Sequence, residues 1–115
     1  NPHAARAIAR QLNNMPGRTA LVAAMLASKD ATGYFMPFRQ VRPEVFTLPN
    51  APGHQGAEPQ ALAEAATNAG LKAAAYDSLE AALKAAATTG VDRILICGSL
   101  YLAGEVLAQN GEPPA

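Results

Sequence analysis

Two polar residues stand where an apolar run gives way to a turn, and their types suit the binding of an anion. Lys29 follows the continuous apolar run at residues 19–26, and Ser99 follows a second apolar run at residues 94–97. A lysine in such a turn supplies positive charge, and a serine at the start of a helix supplies a hydroxyl or caps free N–H groups. Two plainer interpretations stay open, in which Lys29 is a solvated loop residue and Ser99 is only a helix cap.

Other reactive groups are few. His3 lies in the first turn of a predicted helix and His54 in an irregular loop at residues 49–59, and neither has a second ligand-type residue at metal spacing. No metal site is predicted. A surface position is the plain interpretation of both histidines, with a ligand-facing role for His54 as the alternative. The single cysteine, Cys97, excludes a disulfide within the chain, and its apolar neighbours predict a buried thiol.

The sequence has none of the motifs that grip phosphate or activate a nucleophile. It contains no G-x-x-x-x-G-K-[ST] loop, no G-x-G-x-x-G after a strand and no G-x-S-x-G turn. The chain is therefore not expected to activate ATP by itself.

Length, composition and charge favour one soluble domain. The chain has 115 residues, half of them apolar, and no apolar run is long enough to span a bilayer. Nine basic residues balance nine acidic ones, and the arginines are scattered along the chain, which disfavours nucleic acid and membranes as partners. The arginines are Arg6, Arg10, Arg18, Arg39, Arg42 and Arg93. A single cysteine without a disulfide framework suits a cytoplasmic location.

Strand and helix signals alternate along the chain. Apolar runs predict four strands, at residues 19–26, 44–48, 72–76 and 94–97. Caps and terminal glycines predict five helices: from Asn1 to near Asn14, a short or bent one capped by Asp30, residues 60–69, one from Asp77 or Ser78 to Gly90, and residues 100–109. In the fourth helix, Glu80 is spaced for a capping box with Asp77.

Alternating strands and helices predict parallel pairing with right-handed crossovers. The expected fold is an α/β, three-layer α-β-α Rossmann-like domain with a mainly parallel sheet in the order 3-2-1-4. In that order the first and fourth strands are neighbours, and the apolar run at residues 94–97 is taken as a central, buried strand. Their carboxyl ends would then form a crevice between Lys29 and Ser99.

Three motifs, which follow each other along the chain in the same order as in a known family of enzymes, resemble that family. Residues 98–107, GSLYLAGEVL, resemble the ending of bacterial bifunctional dihydrofolate synthase/folylpolyglutamate synthase, a member of the Mur ligase superfamily. Residues 1–5, NPHAA, resemble the tail of the D-G-A-H-N-P segment that begins this family's C-terminal domain, and Lys29-Asp30 resembles its K-D pair. The chain starts inside the first motif, so the Asp and His that precede Asn-Pro in the family are missing.

The resemblance implies that residues 1–115 are the C-terminal, glutamate-ligase domain of a larger enzyme. That enzyme would add L-glutamate to dihydropteroate or folate through an acyl phosphate, with ATP and Mg²⁺ bound mainly by a central ATPase domain. Lys29 and Ser99 match the lysine and serine that hold the incoming carboxylate in Mur-type ligases. Asn1 and His3 would lie at the domain junction near the nucleotide.

A stand-alone Rossmann-like binding or regulatory module, without catalysis, is the alternative from another functional class. It would use the same crevice for a nucleotide or a protein partner. A phosphorylation receiver fits less well, because no acidic pair ends the first strand.

Overall fold

A computed structural model describes residues 2–27, 30–50 and 56–98 of the chain. Its helices and strands alternate in the order α1 Pro2–Asn13, β1 Thr19–Ala24, α2 Ala31–Phe35, β2 Glu44–Thr47, α3 Pro59–Asn68, β3 Ala73–Ala75, α4 Leu79–Ala87 and β4 Arg93–Gly98. A 3₁₀ helix, Met36–Phe38, follows α2 directly. The predicted alternation is confirmed as far as β4, and the predicted helix at residues 100–109 lies outside the described residues.

All four strands run parallel, in the order β3-β2-β1-β4. The strand order predicted from the crossovers is therefore confirmed. β1 lies between β2 and β4, with Leu21 paired to Val45 on one side and to Leu95 on the other. The pairing of β1 with β4 continues to Ala24 and Gly98, so these two strands end side by side at the same edge of the sheet.

Helices cover both faces of the sheet and give it two apolar cores. Leu21 and Ala23 of β1 belong to a cluster with α1, α2 and α3, whereas Ala20, Val22 and Ala24 belong to a second cluster with α4. Every residue of β1 is buried, as expected for a parallel strand that is covered on both faces. The predicted three-layer α-β-α arrangement is confirmed.

β4 is an edge strand, which corrects the prediction of a central, buried strand at residues 94–97. Among the described strands it pairs only with β1, and Ile94 is 37% exposed. Cys97 is partly buried and packs against the first apolar cluster, so the predicted burial of the thiol is only partial. The apolar sequence of β4 resembles that of a central strand because both faces of this edge strand still contact the core. Leu95 and Cys97 pack against the first cluster and Ile96 against the second.

The predicted helix caps are confirmed in part. Asp30 Oδ1 accepts a hydrogen bond from the Gly33 N–H at 3.0 Å and so caps α2, which continues for only five residues. Ser78 caps α4, because its Oγ accepts from the Ala81 N–H at 3.1 Å. Glu80 is then the second helical residue, one position too early for a capping box, so that prediction is wrong.

Arg42 adopts a backbone conformation that glycine normally takes. Its φ is 55°, and its N–H donates to the Phe38 carbonyl oxygen at 2.9 Å, which closes the chain reversal between the 3₁₀ helix and β2. The left-handed region costs a residue with a Cβ about 1–2 kcal/mol. The arginine is therefore held there by the surrounding structure against a local energetic cost.

A hydrogen-bonded network joins the amino ends of β1 and β4. The Arg18 N–H donates to Asp92 Oδ2 at 2.7 Å, and the Asp92 N–H donates to the Arg18 carbonyl oxygen at 2.9 Å. Arg93 Nη1 donates to Thr19 Oγ1 at 2.8 Å. Gly17, at φ +93°, leaves room for the carboxylate, because a Cβ there would lie 2.6 Å from Asp92 Oδ2. The network fixes the register of β1 and β4, the two strands whose carboxyl ends would form the predicted crevice.

We expect Asp92→Ala to lower the free energy of unfolding by about 1 kcal/mol, because it removes the charged acceptor of the Arg18 N–H. The measurement is urea denaturation followed by circular dichroism. Glu64→Ala, which removes an exposed carboxylate from α3, is the matched control and should change stability much less. Equal effects of the two substitutions would contradict a role for Asp92 in joining the strands.

Candidate functional site

The candidate site lies at the carboxyl edge of the sheet, where β1 and β4 end. Ala24 and Gly98 are the last paired residues of these strands. In the sequence, Ser99 follows Gly98 directly, and Lys29 comes between the end of β1 and the start of α2. Both residues lie outside the described residues. The predicted adjacency of the two strands is confirmed, and the meeting of the two side chains in one crevice stays a prediction.

The start of α2 is held by its cap. Asp30 holds the Gly33 N–H, and a Cβ at Gly33 would collide with the Asp30 carboxylate. A side chain at this position would therefore displace the cap. The need for space beside the Asp30 carboxylate explains why a glycine interrupts the helix pattern at this position.

The described ends of the irregular loop are bonded to the end of β1 and to the two residues that follow it. Leu48 N–H donates to the Ala23 carbonyl oxygen at 3.1 Å, Ala57 N–H donates to the Met25 carbonyl oxygen at 2.9 Å, and Leu26 forms an antiparallel bridge with Gly56. Gly56 permits this approach, because a Cβ there would lie 2.6 Å from Asn50 Cβ. The loop therefore enters and leaves beside the candidate site. His54 lies outside the described residues.

A tyrosine and the cysteine meet beneath this edge. Tyr34, on α2, is buried at 7% exposure, and its hydroxyl lies close enough to the sulfur of Cys97 on β4 for each group to shift the pKa of the other. Its ring contacts Phe35 edge-on, with the centroids 5.6 Å apart, and Phe38 at 6.0 Å. The pair links the helix that follows Lys29 to the strand that precedes Ser99. Nothing in the sequence pattern relates these two residues, so sequence reasoning missed it.

Burial keeps both groups of this pair neutral. Removal of the thiol from water raises the pKa of Cys97 to about 11 from an ordinary value of 9.0, although the hydrogen bond from Tyr34 acts in the opposite direction. Burial also raises the pKa of Tyr34, and the neighbouring cysteine adds to the effect. Although Cys97 keeps part of its surface exposed, its contacts with the first apolar cluster explain the raised pKa. Neither group is charged near neutral pH.

The described residues near the amino terminus show few contacts that would support a nucleotide site. His3 is exposed in the first turn of α1, where Arg6 Nη2 donates to its Nδ1 at 3.5 Å. Asn1 lies outside the described residues. Across residues 2–27, 30–50 and 56–98, no group of three or more His, Cys, Asp and Glu side chains comes together as metal ligands would. No described helix is long and apolar enough to cross a membrane.

We expect the Cys97 thiol to react slowly with a thiol reagent at pH 8 in the native state. A pKa of about 11 instead of 9.0 leaves about a hundredfold less thiolate in the folded chain than in the unfolded one. The stability that the neutral thiol contributes is present below about pH 9 and is lost as the pH rises toward about 11. Labelling rates at several pH values, with and without urea, measure both effects.

Tyr34→Phe is the matched variant for this measurement. It keeps the buried ring and removes the hydrogen bond that lowers the pKa of Cys97, so native labelling should slow further. Native labelling as fast as that of the unfolded chain would show that the thiol is not protected.

Solved structures with the same fold span the chain. It superposes on folylpolyglutamate synthase of Mycobacterium tuberculosis, solved with ADP and AMPPCP, at a TM-score of 0.85 and 22% identity, covering 100% of this chain and 29% of that one. Bifunctional folylpolyglutamate synthase/dihydrofolate synthase of Yersinia pestis gives 0.80 and 27% identity, with 96% and 26% covered. FolC of E. coli, in complex with ADP, gives 0.77 and 25%, with 96% and 27% covered.

These matches confirm the resemblance that the sequence motifs indicate. The α/β fold with strand order 3-2-1-4 is that of the synthases, and the likeness extends over nearly the whole chain. The chain spans only 26 to 29% of the length of these three proteins. No protein-family model and no curated protein sequence matches it.

Proposed function

We propose that residues 1–115 form the C-terminal, glutamate-ligase domain of an ATP-dependent ligase of the Mur ligase superfamily, which acts in dihydrofolate and folylpolyglutamate synthesis. The main support is the match over 96% of the chain to bifunctional synthases at 25–27% identity. The three motifs at residues 1–5, Lys29-Asp30 and residues 98–107 add support, because they occur in the order that the family has.

The reaction proposed for the whole enzyme forms an amide bond in two steps. A carboxylate oxygen of dihydropteroate or folate attacks the γ-phosphorus of ATP and releases ADP, which leaves an acyl phosphate. The amino nitrogen of L-glutamate then attacks the acyl carbon, loses a proton and displaces inorganic phosphate. This step needs cations and hydrogen-bond donors for the glutamate carboxylates, and it needs water to be kept away.

Lys29 and Ser99 are the residues to which we assign the glutamate carboxylate. The adjacency of β1 and β4 supports this assignment, because their carboxyl ends, at Ala24 and Gly98, lie next to each other. Lys29 would supply charge. Ser99 would supply its hydroxyl, or its N–H at the start of the predicted helix at residues 100–109, where the helix dipole also favours an anion.

The described part of this chain does not itself fit ATP with Mg²⁺. The sequence has no phosphate loop, and the described residues hold no cluster of metal ligands. We therefore assign the grip on ATP and Mg²⁺ to the central domain of the enzyme. Asn1 and His3, at the start of this domain, would lie at the junction with that domain and complete the nucleotide site.

In the enzyme that contains this chain, we expect Lys29→Ala and Ser99→Ala each to raise the KM for glutamate about tenfold or more, because each removes a charge-assisted contact of ~1.5–3 kcal/mol. The KM for ATP should change much less. The measurement is phosphate release as a function of glutamate concentration. Lys84→Ala, an exposed lysine on α4, is the charge-matched control. Glutamate kinetics that are unaltered in both site variants would refute the assignment and leave Ser99 as a helix cap.

The chain of residues 1–115 alone should not release phosphate from ATP when glutamate and dihydropteroate are added. The reason is the missing phosphate loop, without which the γ-phosphate is not held for attack. Weak binding of ATP agrees with this expectation, since part of a shared site can keep part of its affinity. Turnover by the isolated chain would contradict it.

A further inference from the structure

Two cavities that share Arg42 lie at the amino edge of the sheet, which is the edge opposite the predicted crevice. The first, of about 740 Å³, is lined by Met36, Pro37, Arg39, Gln40, Arg42 and Gly70. The second, of about 300 Å³, lies against the amino ends of β1 and β2 and includes Arg18, Arg42, Glu44 and Lys72. We call the two cavities together the amino-edge groove.

The groove carries an excess of positive charge in a chain whose net charge is zero. No acidic residue lines the first cavity, which has two arginines. The one carboxylate of the second cavity, Glu44, is paired with Lys72 at 3.7 Å. The arginines are scattered in sequence, so the sequence did not predict this concentration; the fold creates it.

The two arginines of the first cavity are available for a ligand. In the described parts of the chain, the guanidinium groups of Arg39 and Arg42 make no hydrogen bond or ion pair, whereas that of Arg18 donates to the Thr89 carbonyl oxygen at 3.4 Å. Arg39 and Arg42 are exposed and lie three residues apart on the same chain reversal. Arg39 also lies over Gly70, whose added Cβ would come within 3.5 Å of Arg39 Nε.

The backbone conformation of Arg42 suggests, independently of the charge, that its side chain has a use. Glycine would fit its φ of 55° without strain, yet an arginine occupies the position and directs its side chain to both cavities. An outlier of this kind is found where the side chain or the strain is used. Arginine forks hold carboxylate and phosphate oxygens in pairs.

We propose that the amino-edge groove binds a small organic anion with more than one negative charge, held mainly by Arg39 and Arg42. Its charged groups are phosphates or carboxylates, both of which match the guanidinium fork. Met36, which is 41% exposed, and Pro37 provide an apolar wall for the uncharged part of such a ligand. This site is independent of the ligase reaction proposed above, since it lies at the other edge of the sheet.

The test is a titration of the ¹⁵N-labelled chain with inorganic pyrophosphate and, separately, with citrate, at physiological salt so that weak surface attraction is screened. We expect saturable shifts of the amide signals of residues 36–42 and Gly70 with at least one probe. Saturation by pyrophosphate alone identifies a phosphate ligand, and saturation by citrate alone identifies a polycarboxylate. Absence of saturable shifts with both probes at millimolar concentration would overturn the proposal.

Arg42→Gly separates binding from folding. It removes the side chain and relieves the left-handed backbone, so thermal stability should be kept or raised while affinity falls about tenfold or more, the loss typical of one charge-assisted contact. Arg39→Gln should weaken binding similarly. Lys84→Gln removes a charge from α4, on the other face of the sheet, and should leave affinity unchanged. Equal affinity of Arg42→Gly and the unaltered chain, or an equal loss with Lys84→Gln, would contradict the site.

Discussion

The pairing of β1 with strands on both sides is the constraint on which the rest of the structure depends. Every residue of β1 is buried, and three of its six positions, Ala20, Ala23 and Ala24, are alanines. Small side chains let helices approach closely on both faces, and a larger residue at one of these alanine positions would clash in so dense an interior. Because β2 and β4 take their positions from β1, all turns at the carboxyl edge take theirs from it too.

The sequence predicted what depends on local chemistry and on general topology. The alternation of apolar runs and helical patterns was enough for the strand order, and Asp30 and Ser78 are caps as their types suggest. β3 is three alanines, poor strand formers, and forms because its neighbours place it beside β2. Sequence patterns failed where the answer depends on what lies across space. The exposure of Ile94 on β4, the contact of Tyr34 with Cys97 and the meeting of Arg39 with Arg42 in one cavity are all of this kind.

Hydrogen bonds outside the strand pairing hold both edges of the sheet. At the amino edge, side chains and backbone groups both join β1 to β4: Asp92 Oδ2 accepts from the Arg18 N–H, the Asp92 N–H donates to the Arg18 carbonyl oxygen, and Arg93 donates to Thr19. At the carboxyl edge, backbone groups attach the described end of the irregular loop, through the bridge of Leu26 with Gly56 and the hydrogen bond from the Ala57 N–H to the Met25 carbonyl oxygen. The carboxyl edge is where open α/β sheets commonly bind a ligand.

A domain of this kind suits a ligase that closes over its substrate. An acyl phosphate must be kept from water until the amine attacks, so the surface that holds the amine has to arrive as the site closes. Movement of a whole domain achieves this only if the domain keeps its shape, because a site that deforms on contact loses the alignment of the reacting atoms. Features that favour a constant shape in the described residues are two buried cores, a cap on α2 and loop ends bonded to residues 23 and 25. The proposed division of labour therefore places the phosphate chemistry in the central domain and gives this domain the task of carrying glutamate to it.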